Sequence, residues 1–149
     1  MNKLLKIMGV VLVAIMIFIV GYLTGSINTN EVTKEIRIGY QNSNHLNRVD
    51  YYNIFTDVEN PSIIERFLMI YINKEKTENV NVDEDNPDIY IEVNNPKASV
   101  GLIDSKLWFT DEGAIIGRRI GPDWGYMNFY NIDKGDAAYI KETIEYEQG

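Results

Sequence analysis

The chain predicts an α+β domain, an antiparallel sheet of about five to six strands with two helices on one face, behind an apolar N-terminal helix. Three observations predict it. Residues 7–23 contain no charged residue. Beyond residue 34, segments that alternate apolar and polar positions are joined by short turns rich in Gly, Asn, Asp and Pro. Two further stretches place their apolar residues at helical spacing instead.

The first element runs through "KIMGVVLVAIMIFIVGYLTGS". From Ile7 to Leu23 only Gly9, Gly21 and Tyr22 interrupt aliphatic, Ala, Met and Phe positions. Those residues make a helix roughly 25 Å long, at the short end of what spans a hydrocarbon core of about 30 Å. Lys3 and Lys6 precede the segment, and "TGSINTNEVT" after it carries no positive charge. That asymmetry predicts the N-terminus inside and the C-terminal domain outside. A signal peptide shares the arrangement but has a shorter apolar core of about 7–15 residues and a small-residue cleavage site, which Thr24 and Ser26 imitate poorly. Residues 1–26 are therefore read as a signal-anchor, with a cleaved signal peptide and a secreted domain as the alternative. Residues 27–34 read as a polar tether and 35–149 as an extracytoplasmic α+β domain.

Composition narrows the classes. All 22 acidic residues lie beyond residue 26, against 12 of the 14 lysines and arginines, since Lys3 and Lys6 precede it. That part carries a formal charge of −10, which argues against nucleic acid and against docking on anionic lipid by charge. With no Cys there is no disulfide framework, thiolate zinc site, thiol nucleophile or lipid attachment through cysteine. The sixteen asparagines form no Asn-x-Ser/Thr acceptor, because Asn60-Pro61-Ser62 is disqualified by its proline. The combination suits a bacterial envelope protein.

The remaining elements follow in order. "KEIRIGYQ" alternates Ile36, Ile38 and Tyr40 against Glu35, Arg37 and Gln41, a half-buried strand, and "DYYNIFT" supplies a second. Asn60 is placed to cap a helix and Pro61 suits its first position. Ile63, Ile64, Phe67, Leu68 and Tyr71 then form one apolar stripe, fading near Lys74–Lys76 where cations favour the helix end. An acidic connection leads to "DIYIEV", with Ile89, Ile91 and Val93 inward and Tyr90 and Glu92 outward. "NNPKA", "DEG" and "GPDWG" turn the chain three times, so "SVGLIDSKLWFT", "AIIGRRI" and "YMNFYNI" return antiparallel. Gly101 suggests a bulge. Asp133 opens the last helix, whose apolar face is Ala137, Ile140 and Ile144.

Read together, "FTDVENPSIIERFL", "PDIYIEV", "SKLWFTDEGAII" and "YNIDKGDAAYIKETI" resemble the small YhfM-like domain of Gram-positive envelope lipoproteins over roughly residues 34–146. The resemblance implies a membrane-attached accessory domain facing outward. It transfers no catalytic residues. The N-terminal cysteine through which those proteins take their lipid is absent here, so their mode of attachment is not carried over.

Chemistry-bearing residues are few. His45, the single histidine, sits in the polar loop "NSNHLNR" without a nucleophile context around it. The sharpest constellation is "NVDEDNPDIYIE", where Asn81, Asp83, Asp85 and Glu92 take positions 1, 3, 5 and 12 of a calcium-loop count. The sixth position is Asn86 rather than Gly, and a strand follows instead of a helix. The plainer reading is a solvated acidic connection without a cofactor, with Ca²⁺ the candidate ion. Asp104, Asp111, Glu112 and Asp123 are candidates for paired carboxylates in a small hydrolase. At the tip "RRIGPDWGY", Arg118, Arg119, Asp123 and Trp124 form a candidate interface, the residue types that dominate binding hot spots. The plainer reading of Trp124 is a core lid, as Trp108 is expected to be.

The functional expectation is a membrane-anchored, non-catalytic accessory domain of the bacterial envelope. Its expected partners are the membrane, through residues 7–23, and an envelope protein or cell-wall component outside.

Overall fold

A computed structural model describes residues 3–28, 31–45, 48–78 and 80–146. The chain divides into two compact units, residues 1–31 and 32–149.

The first unit is the helix α1, Lys3–Asn28. Its window Ile7–Gly25 is long and apolar enough to cross a membrane or to act as a signal. From Ile7 to Gly25 every side chain is exposed. The helix continues to Asn28, so the first two residues expected in the tether belong to it.

The second unit is α+β, as the alternation predicts. Its elements are β1 (Glu35–Gln41), β2 (Val49–Thr56), α2 (Pro61–Asn73), β3 (Glu75–Thr77), β4 (Ile89–Asn95), β5 (Val100–Thr110), β6 (Gly113–Arg119), β7 (Met127–Asp133) and α3 (Lys134–Thr143). They form one seven-stranded antiparallel sheet in the order β2-β1-β4-β5-β6-β7-β3. The expected count of five to six strands is corrected by β3. "EKT" has no apolar alternation to announce it; α2 ends at Lys74 in extended conformation, and the next three residues pair with the free edge of β7.

One sheet face holds the core. Ile36 and Ile38 on β1, Ile89, Ile91 and Val93 on β4, Leu107 on β5 and Ile116 on β6 are fully buried at alternate positions. Phe67 and Ile70 of α2 and Ile140 of α3 close over them in a single cluster, so both helices cover the same face. The α2 stripe matches the sequence pattern, with Ile70 added and Ile63 and Leu68 only partly buried. Asn60 stands at the N-cap position but its side chain makes no capping bond, a correction to the expected cap. At α3 the cap forms: Asp133 Oδ1 accepts from the Asp136 N–H at 2.8 Å. An Arg66–Asp136 pair at 2.6 Å links the two helices.

The expected bulge lies beside Gly101. Val93 pairs with Ile103 and Asn94 with Gly101, leaving Leu102 as the extra residue. A second bulge at Ile38/Gly39 makes Tyr52 the unpaired residue of β2.

Tyrosines raised above their ordinary value fix an alkaline limit. Burial first, then the bond donated to Asp88 at 2.9 Å and that carboxylate's charge, pushes the Tyr146 phenol up to about 12. Tyr71, bonded to Ser105 in the core, is pushed upward by burial as well. A phenol whose folded value is raised contributes stability that is complete below its unfolded value of about 10 and is lost as pH rises through the folded one. Urea midpoints should therefore hold up to about pH 10 and fall steadily toward pH 12, with a shallower fall in Tyr146→Phe.

Candidate functional site

The opposite sheet face is the one that sequence reading left to solvent, and it carries the polar chemistry. Alternation puts Arg37, Tyr90, Glu92, Asp104, Lys106, Trp108, Gly117 and Arg119 on it. Arg37 lies opposite Glu92, and Glu92 opposite Asp104. Arg119 on β6 donates to Asp104. Across four neighbouring strands the row reads positive, negative, negative, positive. Two carboxylates directly opposite one another repel. Here each has a donor of its own, Tyr51 OH for Glu92 and Arg119 for Asp104.

Beside this row, residues 83–84 fold over the sheet. Lys106 Nζ donates to the Glu84 carbonyl at 2.6 Å, and Trp108 Nε1 donates to the Asp83 carbonyl at 2.8 Å. The acidic connection thereby becomes a cover, which is why Trp108 is only 5% exposed although it points away from the main core. Tyr90, read as outward, is buried as well, with the Trp124 ring against it. Burial lowers the Lys106 pKa, while Asp85, Glu84 and Asp83 pull it back up.

Close packing under the cover depends on Gly117. A Cβ there would stand 2.9 Å from the Trp108 ring and 3.1 Å from Met127 Sδ. Gly117→Ala should displace the indole and cost about 1–3 kcal/mol, as overpacking does. Near-ultraviolet circular dichroism and a urea titration check both parts.

Between the charged row and the turn after β6 lies a cavity of about 360 Å³, lined by Arg48, Val49, Tyr51, Tyr90, Glu92, Asp104, Arg119 and Trp124. Trp124 is half-buried and meets Tyr90 edge-on at 5.8 Å and 75°. Lys106 Nζ stands 5.1 Å and the Arg119 guanidinium 5.3 Å from its ring centre. Arg119 also donates to the Pro122 carbonyl at 3.3 Å, fixing the turn that carries Trp124. Burial, then the bond to Glu92 and its charge, pushes Tyr51 well above an ordinary phenol, while burial, then the Asp85 charge, raises Tyr90. Both stay protonated at neutral pH, Tyr51 as a donor. The cavity thus offers phenol and guanidinium donors, carboxylate acceptors and an aromatic wall, a set suited to holding a polar ligand.

The sequence-predicted residues divide accordingly. Arg119 and Trp124 come together in this cavity. Arg118, next in the chain, falls on the opposite face, and Asp123 is exposed with Oδ1 accepting from the Gly125 N–H at 2.9 Å. Of the calcium-spaced set, Asp83 accepts from Asn86 Nδ2 at 2.6 Å and from the Asp85 N–H at 3.1 Å within its own loop. Glu92 faces Tyr51 instead, and Asn81 lines a separate depression of about 800 Å³ beside β3. Among the described residues no group of three or more His, Asp or Glu could hold a metal ion. Of the carboxylates weighed for hydrolysis, Asp104 is in the cavity, whereas Asp111 and Glu112 are exposed in the β5–β6 turn. His45 is exposed, beyond the end of β1.

Tyr51, Tyr90 and Lys106 were not singled out by sequence reasoning. The available signal was the "NNPKA" hairpin, whose register sets Glu92 against Asp104 and Tyr90 against Lys106. Tyr51 had no such signal, because its place depends on the β2 bulge. No family model matches the chain, and neither the search of curated proteins nor that of solved structures finds a match.

Proposed function

We propose that this chain is a membrane-anchored accessory domain of a bacterial envelope, facing outward, that binds an envelope protein or cell-wall component without catalysis. The observation that carries the reading is the 19-residue uncharged window Ile7–Gly25, exposed along its length and followed by a separately packed, acidic domain. About 28 Å of helix matches a hydrocarbon core of about 30 Å and exceeds the apolar core of a signal peptide. Lys3 and Lys6 on one side, with no cation directly after the window, favour the domain outside. The likeness of residues 34–146 to the YhfM-like domain belongs to the same reading, since it too implies an outward-facing, membrane-attached domain.

The binding surface in this proposal is the Tyr51–Glu92–Asp104–Arg119–Trp124 cavity. Its Tyr51 phenol donates to Glu92 and its Arg119 guanidinium to Asp104, which holds the walls in place. Separation of cells into membrane and soluble fractions, with protease added to intact spheroplasts, tests the reading. The chain should stay with membranes through alkaline carbonate and be digested from outside. Recovery in the soluble fraction, or protection from protease, would contradict it.

A further inference from the structure

Antiparallel pairing sends the strand ends to two opposite ends of the sheet. β1 begins at Glu35 opposite Asn94, and Asn94 lies opposite Gly101, so the β4–β5 hairpin stands where the chain first joins the sheet. β6 finishes at the same end with Arg119 and β7 starts there at Met127, which places the 120–126 turn alongside. Large apolar side chains exposed here include Val100 (49%), Leu102 (48%), Ile120 (60%) and Tyr126 (74%). The Ile120 N–H donates to the Tyr126 carbonyl at 3.1 Å, holding those two together at the neck of their turn. The opposite end carries Asp83, Glu84, Asp85 and Asp88 before β4, and Asp111 and Glu112 between β5 and β6.

We propose that the apolar end, through Val100, Leu102, Ile120 and Tyr126, rests on the headgroup layer of a lipid bilayer. The proposal builds on the reading of α1 as a retained anchor. The chain enters the sheet from this side, where Thr33 is hydrogen-bonded to Asp57. Tyrosine and aliphatic side chains suit the interface, where one part of a residue is apolar and another wet. Acids stand at this end too, Asp123 inside the 120–126 turn and Asp57 and Glu59 after β2, so the surface that suits it is zwitterionic rather than anionic. A second copy of the domain fits less well, since two bodies of formal charge −10 repel.

The absence of cysteine makes the test clean, because a single-Cys variant labels at one place. Full-length chain is reconstituted in phosphatidylcholine vesicles, with a fluorophore at Gly121→Cys or at Glu112→Cys. A Cβ at Gly121 meets nothing within 4 Å, and Glu112 is exposed at the acidic end. With lipid brominated on its acyl chains near the headgroup, emission from position 121 should fall about two-fold and that from position 112 should not change. Adding Ile120→Ser and Tyr126→Ser should restore emission at position 121 while the chain still floats with the vesicles. Equal emission at both positions with the chain afloat would overturn the docking and leave the anchor standing, and would mean that this end meets water or a protein. A chain that does not float would overturn both.

Discussion

Phe67→Ala should lower the unfolding free energy of the C-terminal unit by about 3–5 kcal/mol, the range for deleting a fully buried aromatic side chain. Phe67 has no exposed surface. It stacks on Phe55 of β2 at 6.5 Å and meets Tyr139 of α3 edge-on at 6.0 Å, so one ring joins α2 to the edge of the sheet and to the other helix. Removing it leaves a void that three separate elements would have to close together. Urea unfolding followed by circular dichroism reads the loss. A change below about 1 kcal/mol would mean that α2 does not close the core as described.

Gly113→Ala is the second large effect, expected at about 3 kcal/mol. Gly113 has φ +150°, which L side chains rarely adopt, and a Cβ there would stand 2.1 Å from the Ile132 carbonyl oxygen. The obstacle is backbone, so relief requires β6 and β7 to separate at Gly113↔Asp133. Asp133 is also the cap of α3, and the strain is carried into that helix. The same titration, together with amide exchange of α3, measures it. Wild-type exchange in α3 would show that the hairpin absorbs the change alone.

Much of the fold was legible because its segments have strong local signals. Ile36, Ile38, Ile89, Ile91 and Val93 announce their face by strict alternation, and the Asp133 cap is a local bond between residues three apart. β3 was not legible, since three polar residues become a strand only because β7 has a free edge. Nor was the Asn60 cap, where the side-chain type was right and the bond is absent. The site was legible in part. Arg119 and Trp124 stood out by residue type, but separating Arg118 from Arg119 required the sheet's two faces. Glu92 and Asp83 shared a spacing along the chain, while strand pairing gave Glu92 to Tyr51 and loop closure gave Asp83 to Asn86. The bonds of Lys106 and Trp108 were hidden for a related reason. Their partners are the carbonyls of Glu84 and Asp83, and a backbone acceptor leaves no mark on a sequence.

Retention of α1 is the central claim, because the sidedness, the outward site and the lipid contact all rest on it. The intact mass of the chain purified from the membrane fraction tests it most directly. The account predicts a mass that still includes residues 3–28. A mass corresponding to a chain that begins near Ile27 would contradict it, leaving a secreted domain whose helix was only an address.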